Sequence, residues 1–96
     1  MQNSLLTYRD LSRFIKECGY FFIATVKENK PRLRPFGIIY ASSSGLYIAT
    51  DKKKSVYKEI IENSSVEIGS YNLATRKWIR ISADAVREES MTVTEE

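Results

Sequence analysis

Three short stretches of the sequence carry residue types able to do chemistry. The first is KPRLRPFGIIY at residues 30–40. As a strand with a side-chain period of 2, it sets Arg32, Arg34, Phe36, Ile38 and Tyr40 on one face and Leu33, Pro35, Gly37 and Ile39 on the other. Arginine presents a planar fork of donors that suits phosphate or carboxylate oxygens. Pro35 has no amide hydrogen to give to a sheet. The stretch therefore reads either as an anion-binding face or as an edge strand whose charges and proline discourage aggregation. The second stretch is TDKKKS at residues 50–55, where Lys52, Lys53 and Lys54 precede a serine, Ser55, able to cap the helix that follows. A helix start offers free amide hydrogens and the positive end of a dipole, both favourable to phosphate. The plainer reading is a solvated basic loop. The third is KWIRIS, in which Trp78 and Arg80 share a face opposite Ile79 and Ile81. A tryptophan on the outward face of a strand needs cover, from a second chain or from an N-terminal helix.

What is missing narrows the chemistry. The chain has no histidine and one cysteine, Cys18. Imidazole acid–base catalysis, a nucleophile–His–acid set and a thiolate metal cluster are all excluded. No GxGxxG or GxxxxGK[ST] loop occurs. No catalytic residue and no metal ligand is assigned; catalysis by this chain calls for a cofactor.

These stretches have to be held by a small scaffold. Ninety-six residues make one domain, 1–96, with the tail from about residue 88 left unassigned. No apolar run approaches the ~20 residues needed to span a bilayer, and the N-terminal residues lack the pattern of a signal peptide. A lone cysteine fits a reducing, cytoplasmic setting. The net charge of +3 permits an anionic partner without requiring one. Leu11, Phe14, Ile15 and Cys18 recur at i, i+3, i+4 and i+7, one stripe of a helix with Thr7 as its cap, Asp10 completing a capping box and Gly19 ending it. Residues 20–26, YFFIATV, read as a strand covered on both faces. KENKP is a hairpin turn, residues 30–40 a second strand, and LYIAT at 46–50 a third. A helix over 56–62 follows, with Tyr57, Ile60 and Ile61 as its buried positions. SVEIGSY then gives a fourth strand and WIRISADAVRE a fifth, with Ile79, Ile81, Ala83 and Ala85 on one face. The expected class is α+β: a small antiparallel barrel or curled sheet, an N-terminal helix, and a helix inserted between strands three and four.

In this order and spacing, the ATV ending the first strand, PRLRPF, LYIAT with DKKKSVYKEI, and WIRISADAV make residues 10–87 resemble the FMN-binding split-barrel family related to pyridoxamine 5′-phosphate oxidase. The resemblance implies a homodimer of split β-barrels with two FMN molecules in symmetric grooves between the subunits. It implies that the Arg32, Arg34, Phe36 and Ile38 face points out of the barrel, at flavin and partner, while Leu33 and Ile39 enter the core. A flavin nucleotide is part dianion and part flat apolar ring, so a strand cationic at one end and apolar beyond suits it. Pro35 interrupts the ladder there, and Gly37 lets a ring approach the backbone closely. Thr50, Lys52 and Lys54, beside Ser55, would meet the phosphate or ring edge with help from Arg32, and Trp78 would sit beside the ring at the dimer interface. Which of the three lysines meets the phosphate stays open. The oxidase's C-terminal substrate-binding segment, with its Arg and His residues, has no counterpart here, so oxidation of pyridoxamine phosphate is not expected. Nor is the family's sixth strand evident. The expectation is an FMN-binding protein, a flavin-dependent oxidoreductase whose small-molecule substrate and electron donor the sequence does not name. The alternatives are the same fold with a deazaflavin or with no cofactor, and a nucleic-acid-binding β-barrel using Arg32, Arg34, the lysine run and exposed aromatics.

Overall fold

The computed structural model describes residues 6–87. Helix α1 (Tyr8–Cys18) begins as its residues dictate. The Asp10 amide donates to the Thr7 hydroxyl and the Thr7 amide to the Asp10 carboxylate, each at 3.0 Å, which closes the capping box. It stops at Gly19, whose φ of 91° lets its amide reach back to the Ile15 and Lys16 carbonyls. Ile15 is buried, and Leu11, Phe14 and Cys18 are half-buried, as the stripe requires.

Strands β1 (Phe21–Lys27) and β2 (Lys30–Phe36) form a hairpin. Its two turn residues, Glu28 and Asn29, both have positive φ, 53° and 64°, the primed turn whose twist matches that of the strands. A smaller hairpin, β3 (Tyr40–Ser42) with β4 (Gly45–Tyr47), stands apart from the main sheet. Helix α2 (Ser55–Glu62) leads into β5 (Ser65–Asn72) and β6 (Lys77–Asp84). The main sheet is antiparallel with strand order β2-β1-β5-β6, and it is not closed into a full barrel. This is the expected α+β split-barrel architecture. Phe21 and Ile23 of β1, Val66 and Ile68 of β5, Ile39, Ile15 and Val56 form one core on the inner face of the sheet. Helix α1 packs against β3, β4 and β5, and α2 packs against β1.

Several expectations change. The strand expected over residues 30–40 breaks at 37–39 into β2 and β3, so six strands form among the described residues where five are expected. Pro35, expected to interrupt the ladder, stays paired with Phe22 because β2 is an edge strand, and pairing ends only after Phe36, where Gly37 adds no side chain to hold it. The break also shifts which side chains face inward. Arg34 and Phe36 turn toward the core side, with the Phe36 ring 5.7 Å from that of Phe21, whereas Ile38 is exposed and Ile39 is buried. Leu33, expected in the core, is instead 66% exposed on the outer face. In α2, Val56 and Glu59 are buried, Tyr57 and Ile60 are half-buried, and Ile61, expected inside, is 55% exposed. Lys54 rather than Ser55 is the N-cap, and no side chain caps the helix. On β1, Phe21, Ile23 and Thr25 are buried, but the opposite face, read as covered, is open. Strand β6 ends at Asp84, with Ala83 exposed.

Candidate functional site

Pairing of β1 with β2 places Thr25 opposite Arg32 and Ile23 opposite Arg34. The inward turn of Arg34 then brings its guanidinium to α2. Nη2 donates to Glu59 Oε1 at 2.6 Å and Nη1 to the Thr25 hydroxyl at 3.0 Å, while that hydroxyl donates in turn to Glu59. Glu59 is only 5% exposed, and burying a carboxylate is costly unless it is paired and hydrogen-bonded. Here it is both. The Thr25 hydroxyl is the largest influence holding the Glu59 carboxyl below its ordinary value; burial opposes it, and Arg34 and then Arg32 add their charges in the same direction as Thr25. Both arginines of the second strand are thus electrostatically coupled to α2. Arg34 has its charge taken up inside the protein, while Arg32 is exposed.

The segment before α2 is basic and exposed. Asp51 folds it: its carboxylate accepts the Lys53 amide at 2.8 Å and its carbonyl the Lys54 amide at 2.9 Å. Lys52, Lys53 and Lys54 are all exposed. The first turn of α2 has no acidic side chain and no side-chain cap, so its leading amides are open. Just upstream, the Thr50 hydroxyl is buried and has no hydrogen-bond partner. A buried hydroxyl without a partner is uncommon and destabilising. One short stretch of chain thus carries a hydroxyl without a partner, three lysines and an uncapped helix start.

The other face of the sheet is different. Tyr20, Phe22, Leu33, Tyr71 and Trp78 line an open groove of about 400 Å³ over Gly69, with Arg80 and Glu67 on its floor. A Cβ built on Gly69 meets nothing within 4 Å, so the floor is clear. Trp78 stands opposite Tyr71 and is 63% exposed. Pro35, opposite Phe22, is exposed. Within one chain the structure bonds Arg34 to α2 and leaves Arg32 exposed on the same strand, while Thr50, Lys52 and Lys54 precede α2 and Ser55 opens it. Trp78 lies across the sheet, away from Arg34 and α2, and Phe36 joins the core. Sequence reasoning missed Glu59 and Thr25. The signal was there: Val56, Glu59 and Ile60 at i, i+3 and i+4 put a carboxylate on the buried stripe of α2.

Antiparallel strands wrapped about one core, with a helix interposed ahead of the last two strands, define the split-barrel class. The chain belongs to the pyridoxamine 5′-phosphate oxidase family, whose pattern matches residues 9–94. It is similar to a NimC/NimA family protein from Clostridium acetobutylicum, with 36% identity and a TM-score of 0.75 over 80% of this chain and 53% of that one. A pyridoxamine 5′-phosphate oxidase-related, FMN-binding protein from Nostoc punctiforme shares the fold at 21% identity and a TM-score of 0.60, over 85% of this chain and 47% of that one. The chain therefore spans about half the length of the solved structures it matches. No curated protein matches it. The family read from the sequence and the fold class both hold. Among the described residues, no helix is long and apolar enough to cross a membrane, and no group of three or more His, Cys, Asp or Glu could hold a metal ion.

Proposed function

We propose that this chain is an FMN-binding flavoprotein, a flavin-dependent oxidoreductase of the cytoplasm that works as a homodimer on a small-molecule substrate. The observation that carries the reading is the start of α2, where a buried, unpartnered Thr50 hydroxyl adjoins an uncapped helix and three exposed lysines. That set suits a phosphate monoester, and family membership makes a flavin nucleotide the natural bearer of it. In this reading Thr50, Ser55 and the leading amides of α2 donate to the phosphate, while Lys52, Lys54 and Arg32 balance its charge. Arg34 and Phe36 support the site from within the fold. A bound flavin supplies electron transfer through its ring, which the protein positions and shields from water.

The homodimer rests on the outer face. Tyr20, Leu33, Tyr71 and Trp78 are exposed together on this face, the kind of apolar surface that a second chain covers. The same face carries both Arg80 and Glu67, so two copies related by a two-fold axis present opposite charges to each other. Trp78 and Pro35 of one chain would then lie at the seam, where a partner's flavin can reach them. The test is the absorption spectrum of freshly purified protein, followed by titration with FMN, riboflavin and FAD. Bound-flavin absorbance with FMN preferred supports the reading. A colourless protein that takes up no flavin, or one that carries a deazaflavin, overturns the cofactor assignment.

A further inference from the structure

Helix α2 is eight residues long, two turns, too short to persist by itself. No side chain caps it and no acidic residue supports its first turn. Its position must come from the sheet beneath. Two kinds of contact are available. Burial of Val56 and packing of Ile60 fix which face is down, but apolar contact is non-directional and tolerates small slides and rotations. The bonds from Arg34 and Thr25 to Glu59 are directional, and they join α2 to β1 and β2 together. Resting on the phosphate-site reading above, we infer that Glu59 is a positioning residue for the anion-binding start of α2, acting through Thr25 and Arg34 without touching the ligand.

Glu59 is negative, so by charge alone its removal should strengthen binding of an anion. If it sets the aim of the helix start, its removal should weaken that binding instead. The Thr25 hydroxyl is the cleaner handle, because it carries no charge. Thr25→Val keeps the shape and the β-branching and removes only the bonds, whereas Thr25→Ser restores the hydroxyl.

The experiment measures the affinities of FMN and riboflavin, by quenching of flavin fluorescence, for wild type, Glu59→Gln, Thr25→Val and Thr25→Ser. Circular dichroism confirms that each is folded. The ratio of the two affinities isolates the phosphate contribution, which general loosening of the fold would not move. Thr25→Val and Glu59→Gln are expected to lower the FMN-over-riboflavin ratio by about tenfold, equivalent to losing one charge-assisted bond to the phosphate, while Thr25→Ser stays near wild type. If Glu59→Gln does not fold, Thr25→Val decides. A folded Thr25→Val with an undiminished ratio overturns the inference, as does a Glu59→Gln ratio equal to or above that of wild type. Wild-type protein that binds FMN and riboflavin equally overturns the phosphate-site reading itself, and this inference with it.

Discussion

Arg34→Met should destabilise the protein strongly at neutral pH and much less in acid. The substitution keeps an unbranched apolar stem and deletes the guanidinium that donates to Glu59 at 2.6 Å and to Thr25 at 3.0 Å. Removing one partner of a buried pair costs about 3–5 kcal/mol, because the other charge stays buried without compensation. The Arg34 side chain retains 23% of its exposure, so water screens part of the interaction and about 2–3 kcal/mol is the better expectation. For a domain of this size that is a fall in Tm of about 10–20 °C. Substituting both partners, Arg34→Met with Glu59→Leu, leaves no buried charge and should recover part of the loss, the Thr25 hydroxyl then being left without either partner. The pH dependence follows from Glu59. Its carboxyl is held below its ordinary value in the folded protein, so it contributes stability above the unfolded value and loses it as pH falls through the folded one. Without Arg34 the buried Glu59 carboxyl protonates more readily, so falling pH relieves the variant before it touches wild type, and the penalty shrinks. Urea unfolding of wild type, Arg34→Met and the double variant at pH 7 and at about pH 4 measures both effects. An Arg34→Met penalty under 1 kcal/mol at pH 7, or one equally large at both pH values, would refute the reasoning.

Other outcomes follow from the same geometry. Arg32→Ala and Lys54→Ala should each weaken FMN by about 1.5–3 kcal/mol and leave riboflavin unchanged, as titration of both ligands can check; Lys27→Ala, at the end of β1, is the control for net charge. Trp78→Ala should weaken self-association, and FMN addition should strengthen it in wild type, because a ligand that binds only the dimer favours it by mass action. Analytical ultracentrifugation with and without FMN reads both, and a wild-type monomer that still binds FMN one-to-one at micromolar concentration would rule the dimer out. Gly19→Ala should lower stability by about 1 kcal/mol in urea unfolding, since alanine is strained at the φ of 91° that ends α1.

What was legible in the sequence was local chemistry. The cap at Thr7 and Asp10, the stop at Gly19 and the stripe through Ile15 are decided within a few residues, and the structure repeats them. Trp78 reads as outward because β6 alternates cleanly past it. The second strand misled because period 2 holds only while a strand is unbroken. Gly37 marked the interruption, yet continuing the alternation back through it from Ile39 sent Leu33 inward, when it lies outside. The Glu59 site was hidden for a different reason. Its partners lie 25 and 34 residues away, on strands whose register fixes them only after folding. The lysine run was visible, but the Thr50 hydroxyl acquires meaning only once it is seen to be buried without a partner.

The phosphate site proposed before α2 is tested most directly by parallel titration of purified, flavin-free protein with FMN and riboflavin under identical conditions. Bound-flavin absorbance with FMN at least tenfold tighter, about 1.4 kcal/mol, is the expected result. Equal affinity for the two, or no binding of either, would contradict it.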